Sequence, residues 1–238
     1  MQKIQYIAFV GLGFVVRAGA SRHSLPSRIS IYRYTAVLTI YHAPNTRGTR
    51  VIWLCEELGL DYEVVKVDFS PRYRASDEWR ALNPVGKVPV LRDGDMVMFE
   101  SGAMVEYILA RYGRGRLMPT VDSPDYAHYL QWLWFGEATL SRPLGEIVNH
   151  RREFPGDEEI PAVIDEMKDR TQLCLQALAD HVQGRQFLLG DTFSAADVMV
   201  GYALILVEML VPERMPQALE LYWQRLQTRP ALQAARQA

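Results

Sequence analysis

This chain has little cysteine, no long apolar run and no surplus of positive charge, and each lack removes a class of protein. Of 238 residues only two are cysteine, Cys55 and Cys174. Neither sits in a C-x-x-C pair or a Cys/His cluster, which excludes a disulfide framework and zinc-ligand spacing, and no metal is expected. No apolar stretch reaches the roughly 18–20 residues of a membrane-spanning helix, so no membrane partner is expected. A formal net charge of −2 argues against a generally nucleic-acid-binding surface. What remains is ordinary: 49% apolar and 23% charged residues, the composition of a globular protein with a packed core.

Acidic residues are missing altogether from residues 1–36, which hold Lys3, Arg17, Arg22, Arg28 and Arg33. Lys3, the apolar stretch Ile4–Val16 and Ala18-Gly19-Ala20 have the form of a signal peptide, and the Arg- and Ser-rich stretch beyond resembles a mitochondrial presequence. Against both stands an over-long start, because the first regular element opens near Val37. The cysteine usage favours a reducing, cytoplasmic setting, and residues 1–36 are read as an extension outside the domain, disordered or loosely attached.

From residue 37 the pattern becomes regular. Leu38–His42 reads as a short buried strand stopped by Ala43-Pro44-Asn45. Val51, Leu54, Cys55 and Leu58 follow helical spacing, and Gly59 ends that helix. Tyr62–Val67 is strand-like, and Tyr73–Leu82 is a polar helical stretch. Val88–Leu91 and Met96–Phe99 flank Arg92-Asp93-Gly94-Asp95, a hairpin signal. A helix follows from Ser101. The order β-α-β, then α, then β-β-α predicts an α/β thioredoxin-like domain over 37–117. After Gly113-Arg114-Gly115-Arg116 the strand signals stop. Helical segments at 123–152, 157–182, 195–209 and 215–228 predict an all-α domain over 123–238.

Four stretches, in order, carry a family resemblance. Tyr41-His42-Ala43-Pro44-Asn45-Thr46-Arg47-Gly48 through Glu56-Glu57-Leu58-Gly59-Leu60 resembles the opening of bacterial glutathione transferases. Asn83-Pro84-Val85-Gly86-Lys87-Val88-Pro89-Val90-Leu91 is similar to the stretch around that family's cis-proline. Glu100-Ser101 matches its acid-Ser pair, and Ser194-Ala195-Ala196-Asp197 matches its C-terminal folding motif. The resemblance runs from about Leu38 to Pro230. It implies the glutathione transferase fold, a homodimer, glutathione as co-substrate, and attack of its thiolate on a small hydrophobic electrophile, as in detoxification.

The site residues follow from that resemblance. The backbone of Val88, before Pro89, would pair with the cysteinyl unit of glutathione, a small strand addition. Ser101, at a helix start where free amides suit an anion, would take the γ-glutamyl carboxylate, and Glu100 the α-ammonium. As a bare sequence signal Ser101 is also an ordinary N-cap. Lys87 would lie near the glycyl carboxylate. Ser194 and Asp197 form a capping box, with Phe193 and Val198 as its staple, and are read as structural. Tyr129 or Trp132, from an aromatic helix, would line the pocket for the electrophile. Cys55 and Cys174 are read as core residues.

The informative lack is at the thiol. The family's donor to sulfur is a Tyr, Ser or Cys near the end of the first strand, and between Tyr41 and Arg50 there is no Ser and no Cys. Asn45 and Thr46 are the expected donors in their place, since an amide or a hydroxyl can each donate to a thiolate. The alternative uses of such residues are a turn for Asn45 and a helix cap for Thr46. Weaker activation of this kind also suits a glutathione-dependent disulfide or peroxide reductase, or a non-catalytic ligand-binding protein of the same fold.

Overall fold

The computed structural model describes residues 37–238; the readings of residues 1–36 lie outside it. The chain opens with β1 (Leu38–His42), α1 (Gly48–Leu58) and β2 (Tyr62–Lys66). Two short helices follow, α2 (Pro71–Arg74) and α3 (Asp77–Leu82), then β3 (Val90–Asp93), β4 (Met96–Phe99) and α4 (Ser101–Tyr112). The sheet order is β2-β1-β3-β4, with β1 parallel to β2 and antiparallel to β3, and β3 antiparallel to β4. This is the expected thioredoxin-like order.

Local chemistry explains most of these boundaries. Gly59 closes α1 at φ 59°, a left-handed conformation that glycine adopts without Cβ strain. The expected single stretch Tyr73–Leu82 is instead two helices. Ser70 and Ser76 each accept a backbone N–H, from Tyr73 and Trp79, so each starts a helix of its own. In the hairpin, Asp93 pairs with Met96, so Gly94 and Asp95 make the turn rather than Asp93 and Gly94. Strand β3 starts at Val90, two residues later than expected, because Pro89 has no ladder donor to offer.

From Tyr126 onward the long elements are helices: α5 (Tyr126–Trp134), α6 (Ser141–Glu153), α7 (Pro161–Val182), α8 (Ala195–Leu210), α9 (Gln217–Gln227) and α10 (Pro230–Gln237). The stretch 123–152 was expected as one helix. It is broken by a π-helical segment at Phe135–Leu140 that joins α5 to α6. Helix α10 carries no signal strong enough to have been read beforehand.

The centre of the molecule is α8, whose residues Ala195–Val207 are all buried, as its all-round apolar sequence requires. Two glycines permit its close contacts. A Cβ at Gly201 would lie 2.7 Å from the Trp53 ring, and one at Gly136 would lie 2.7 Å from the Met199 backbone. Helix α8 therefore touches both α1 and the π segment. Helix α1 is tied to the chain's end as well, because Arg229 grips Glu57 with two nitrogens at 2.6 Å each. The start of α8 is fixed by the Asp197 carboxylate. It accepts from Leu188 N, Ser194 N, Ser194 Oγ and Tyr222 Oη at 2.8–3.1 Å. Cys55 is fully buried and Cys174 only partly so.

Candidate functional site

The loop from the end of β1 into α1 forms one edge of the candidate site. His42 is the last residue of β1 and is buried. Its imidazole lies against the start of α1, where a Cβ on Gly48 would come within 2.2 Å of Nδ1, so only glycine fits there. Burial, and then the nearby Lys66 charge, pull the imidazole down to about 4, so it is neutral at pH 7. The Thr46 hydroxyl donates to the Ala43 carbonyl at 2.6 Å and faces His42 Nδ1 at 3.4 Å. Its one proton is therefore already committed. Asn45 is exposed at φ 62°, and among the described residues its carboxamide has no hydrogen-bond partner. Its backbone carbonyl accepts from the Tyr202 hydroxyl at 3.5 Å.

A cleft of about 520 Å³ opens beside this loop. Asn45, Thr46, Lys87 and Val88 all line it, together with Arg47, Phe69, Arg74 and, from the helical part, Glu137, Arg142, Glu146, Val148, Arg152 and Leu206. The Val88–Pro89 peptide is cis. The cleft thus carries five cations, Arg47, Arg74, Lys87, Arg142 and Arg152, against the carboxylates Glu137 and Glu146.

Glu100 and Ser101 lie outside that lining. Glu100 is exposed at φ 79°, an unusual conformation for a residue with a Cβ, and makes no side-chain cap. Ser101 is the first residue of α4 and not its N-cap, which corrects the capping role read from the sequence. The first intrahelical bond runs from Met104 N to Glu100 O, so the amides of Ser101, Gly102 and Ala103 remain without intrahelical acceptors. The buried Ser101 hydroxyl accepts from Arg50 at 3.2 Å, which leaves its own proton to donate elsewhere.

Arg50 is the residue that sequence reasoning missed. It is fully buried, and donates to Ser101 Oγ, to Gly136 O at 3.2 Å and to Ser141 Oγ at 2.9 Å. It also pairs with Glu137 and lies 4.6 Å from the centre of the Tyr202 ring. Burial pulls the guanidinium down to about 9, with Tyr202 opposing, and it stays charged at pH 7. The π-helical turn has a role here. It presents the Gly136 carbonyl to Arg50 and to Ser141 Oγ, which donates at 2.6 Å, and turns Glu137 toward Arg47 at 3.2 Å. Only the position of Arg50 one turn into α1, amid the apolar residues Val51, Ile52 and Leu54, hinted that it was buried and paired.

The expected electrophile residues are not in the cleft. Tyr129 is 2% exposed and borders a separate pocket of about 420 Å³ with Tyr107 and Met118. Trp132 is 4% exposed, stacked 4.2 Å from the His181 ring. Both belong to α5 upstream of the π segment, which changes the helical phase and turns Glu137 and α6, rather than α5, toward the cleft. Phe69, Val148 and Leu206 supply its apolar wall instead.

Known proteins agree with this architecture. Residues 36–110 match the family described as Glutathione S-transferase, N-terminal domain, and residues 161–237 match Glutathione S-transferase, C-terminal domain. Glutathione S-transferase 4 of Zea mays is 32% identical, over 77% of this chain and 84% of that protein. The disulfide-bond oxidoreductase YfcG of Escherichia coli is 26% identical, over 82% of this chain and 92% of its own. Among solved structures, the theta class glutathione S-transferase of Xanthomonas axonopodis pv. citri with glutathione bound is 26% identical. It superimposes with a TM-score of 0.73, over 85% of this chain and 98% of that one. A four-stranded α/β unit followed by a helical bundle is the glutathione transferase fold, and the chain belongs to the glutathione S-transferase family.

Proposed function

We propose that this chain is a glutathione transferase whose cleft binds glutathione and whose Asn45 carboxamide stabilises the bound thiolate. The observation that carries the reading is the joining, in one cleft, of an unengaged Asn45 amide with Lys87 and with Val88 before a cis-proline. Val88 would pair with the cysteinyl backbone of glutathione and Lys87 with its glycyl carboxylate. Ser101 and the free amides of α4 would take the γ-glutamyl carboxylate, and Glu100 the ammonium. A free thiol titrates near about 8.5, so one donated hydrogen bond and the surrounding cations are needed to make a thiolate at neutral pH. Thr46, its proton held by Ala43, supports the loop more than the sulfur.

The family's division of labour supports a glutathione-binding domain over 37–117 and a helical domain over 123–238. Strand β4 is one of the sheet's two edges and exposes Val97 and Phe99, which supports pairing of two copies as a homodimer. The free cysteines support a cytoplasmic setting, and the reaction supports a role in detoxification. No metal enters this scheme, and among the described residues no group of three or more His, Cys, Asp and Glu is placed to hold one. Among the described residues no helix is long and apolar enough to cross a membrane.

The test is calorimetric glutathione binding followed by titration of thiolate absorbance in the complex. Wild type should bind and show a thiol lowered by about 1–2 units from the free value. Asn45→Ala should return about 1 unit of that shift, Thr46→Ala much less, and Ser101→Ala should lose most of the affinity. Absence of glutathione binding would remove the reading. One observation favours disulfide reduction as a second activity: the loop between Tyr41 and Arg50 holds no Ser or Cys. Turnover of a glutathione mixed disulfide in excess of aryl conjugation would establish it.

A further inference from the structure

Glutathione accounts for only part of the positive charge in the cleft. Arg47 shares the Glu137 carboxylate with the buried Arg50, and on the transferase reading, on which this inference rests, Lys87 is assigned to the glycyl carboxylate. Arg74 from α2 and Arg142 and Arg152 from α6 are left, with Glu146 as the remaining acid. Arg152 shares its charge with Glu153 at 3.3 Å and bonds Asn149 Oδ1 at 3.1 Å. Arg142 has no hydrogen-bond or ion-pair partner among the described residues. Arg74 is positioned by its bond to the Phe69 carbonyl at 3.1 Å and its packing 4.5 Å over the Phe69 ring. Burial, and then the Arg152 charge, hold the Arg74 guanidinium below its ordinary value, so arginines from two separate elements of the cleft repel each other. An anion placed between them removes that repulsion. Phe69, Val148 and Leu206 line the same cleft, and such apolar surface suits a ring or chain attached to the anion.

We propose that the second-substrate region of this cleft selects electrophiles that carry a carboxylate, attracted by Arg74, Arg142 and Arg152 along its lining, with the apolar body against Phe69 and Val148. For an aryl chloride the glutathione thiolate adds to the ring carbon bearing chlorine and forms the C–S bond. The adduct then expels chloride with the C–Cl electron pair. The thiol proton passes to solvent, and no group changes oxidation state overall.

The experiment compares a chloronitrobenzoate with its methyl ester, which share a reacting carbon and differ in charge. To separate electronic effects from binding, the two glutathione conjugates are also synthesised and their dissociation constants measured by calorimetry. The free carboxylate should bind about tenfold more tightly than the ester as a conjugate, with a matching kcat/KM preference after correction for the uncatalysed rates. The preference should shrink as salt is raised from low to about 0.5 M. Arg142→Gln and Arg152→Gln, both at exposed helix positions, should each reduce the ratio severalfold, and the double variant should bring it near unity with an unchanged melting temperature. Equal or better binding of the ester conjugate overturns the carboxylate preference and leaves the transferase reading intact. Tight binding of both conjugates without turnover of either chloride overturns the transferase reading, while the conjugate ratio still decides the preference. Failure to bind glutathione or either conjugate overturns both.

Discussion

Replacing Arg50 by methionine should be among the more damaging single changes in this protein, although no catalytic or glutathione-binding role was read for Arg50 from the sequence. Its guanidinium is fully buried and serves Ser101 Oγ, Gly136 O, Ser141 Oγ and the Glu137 carboxylate at once. Removing one member of a buried pair costs about 3–5 kcal/mol, because the other charge is left uncompensated. Here the lower end applies. Glu137 keeps Arg47 at 3.2 Å and is 21% exposed, and the Gly136 carbonyl keeps Ser141 Oγ at 2.6 Å. Methionine fills most of the volume, so little of the cost is cavity. A loss of about 3 kcal/mol follows, or about 6–12 °C in melting temperature for a chain of this size. Urea midpoints and scanning calorimetry read it directly. Adding Glu137→Gln removes the stranded carboxylate, so the double variant should be less destabilised than the sum of the singles by about 1 kcal/mol or more. A loss under about 1 kcal/mol, or strict additivity, would refute the claim that this buried cation is held by its partners.

Two further outcomes are expected. His42 is held near 4 against an ordinary 6.5, so between those values the unfolded chain takes up a proton that the folded chain refuses. Stability should therefore fall by about 3 kcal/mol as pH drops from 6.5 to 4. His181 is lowered too, mainly by burial, and acts in the same direction, so urea midpoints of His42→Gln should show a flatter but not level profile. Asp197→Asn keeps the shape but sets an amide against four donors, and should cost about 2–4 kcal/mol by urea midpoint with glutathione affinity retained. A change within about 0.5 kcal/mol would contradict a packed helix-start acid held by these four donors.

Elements set by local chemistry were legible in the sequence. Strands β1 and β4, the helix stopped by Gly59 and the start of α8 at Ser194 depend on alternation, turn residues and capping, all of which act within a few positions. The α/β-then-all-α order and the family resemblance rest on those same short-range signals. What a local reading could not supply was the phase and the company of side chains. The π segment at Phe135–Leu140 inserts no distinctive residue, yet it separates the phase of α5, which carries the buried Tyr129 and Trp132, from that of α6, whose arginines line the cleft with Glu137. Helical periodicity assumes 3.6 residues per turn, and one wider turn rotates everything beyond it. Thr46 read as well as Asn45 did, until the Ala43 carbonyl was found to hold its proton.

The sequence by itself determined the four strands, most of the helices and their order, because backbone propensity and apolar spacing are local properties. Only the tertiary structure decided that Arg50, Ser101, Gly136 and Ser141 meet. They come from α1, α4 and the two ends of the π turn, positions 50 to 141, and no periodicity links residues that far apart. A buried charge has to find its donors and acceptors wherever the fold brings them, and that choice is made by packing.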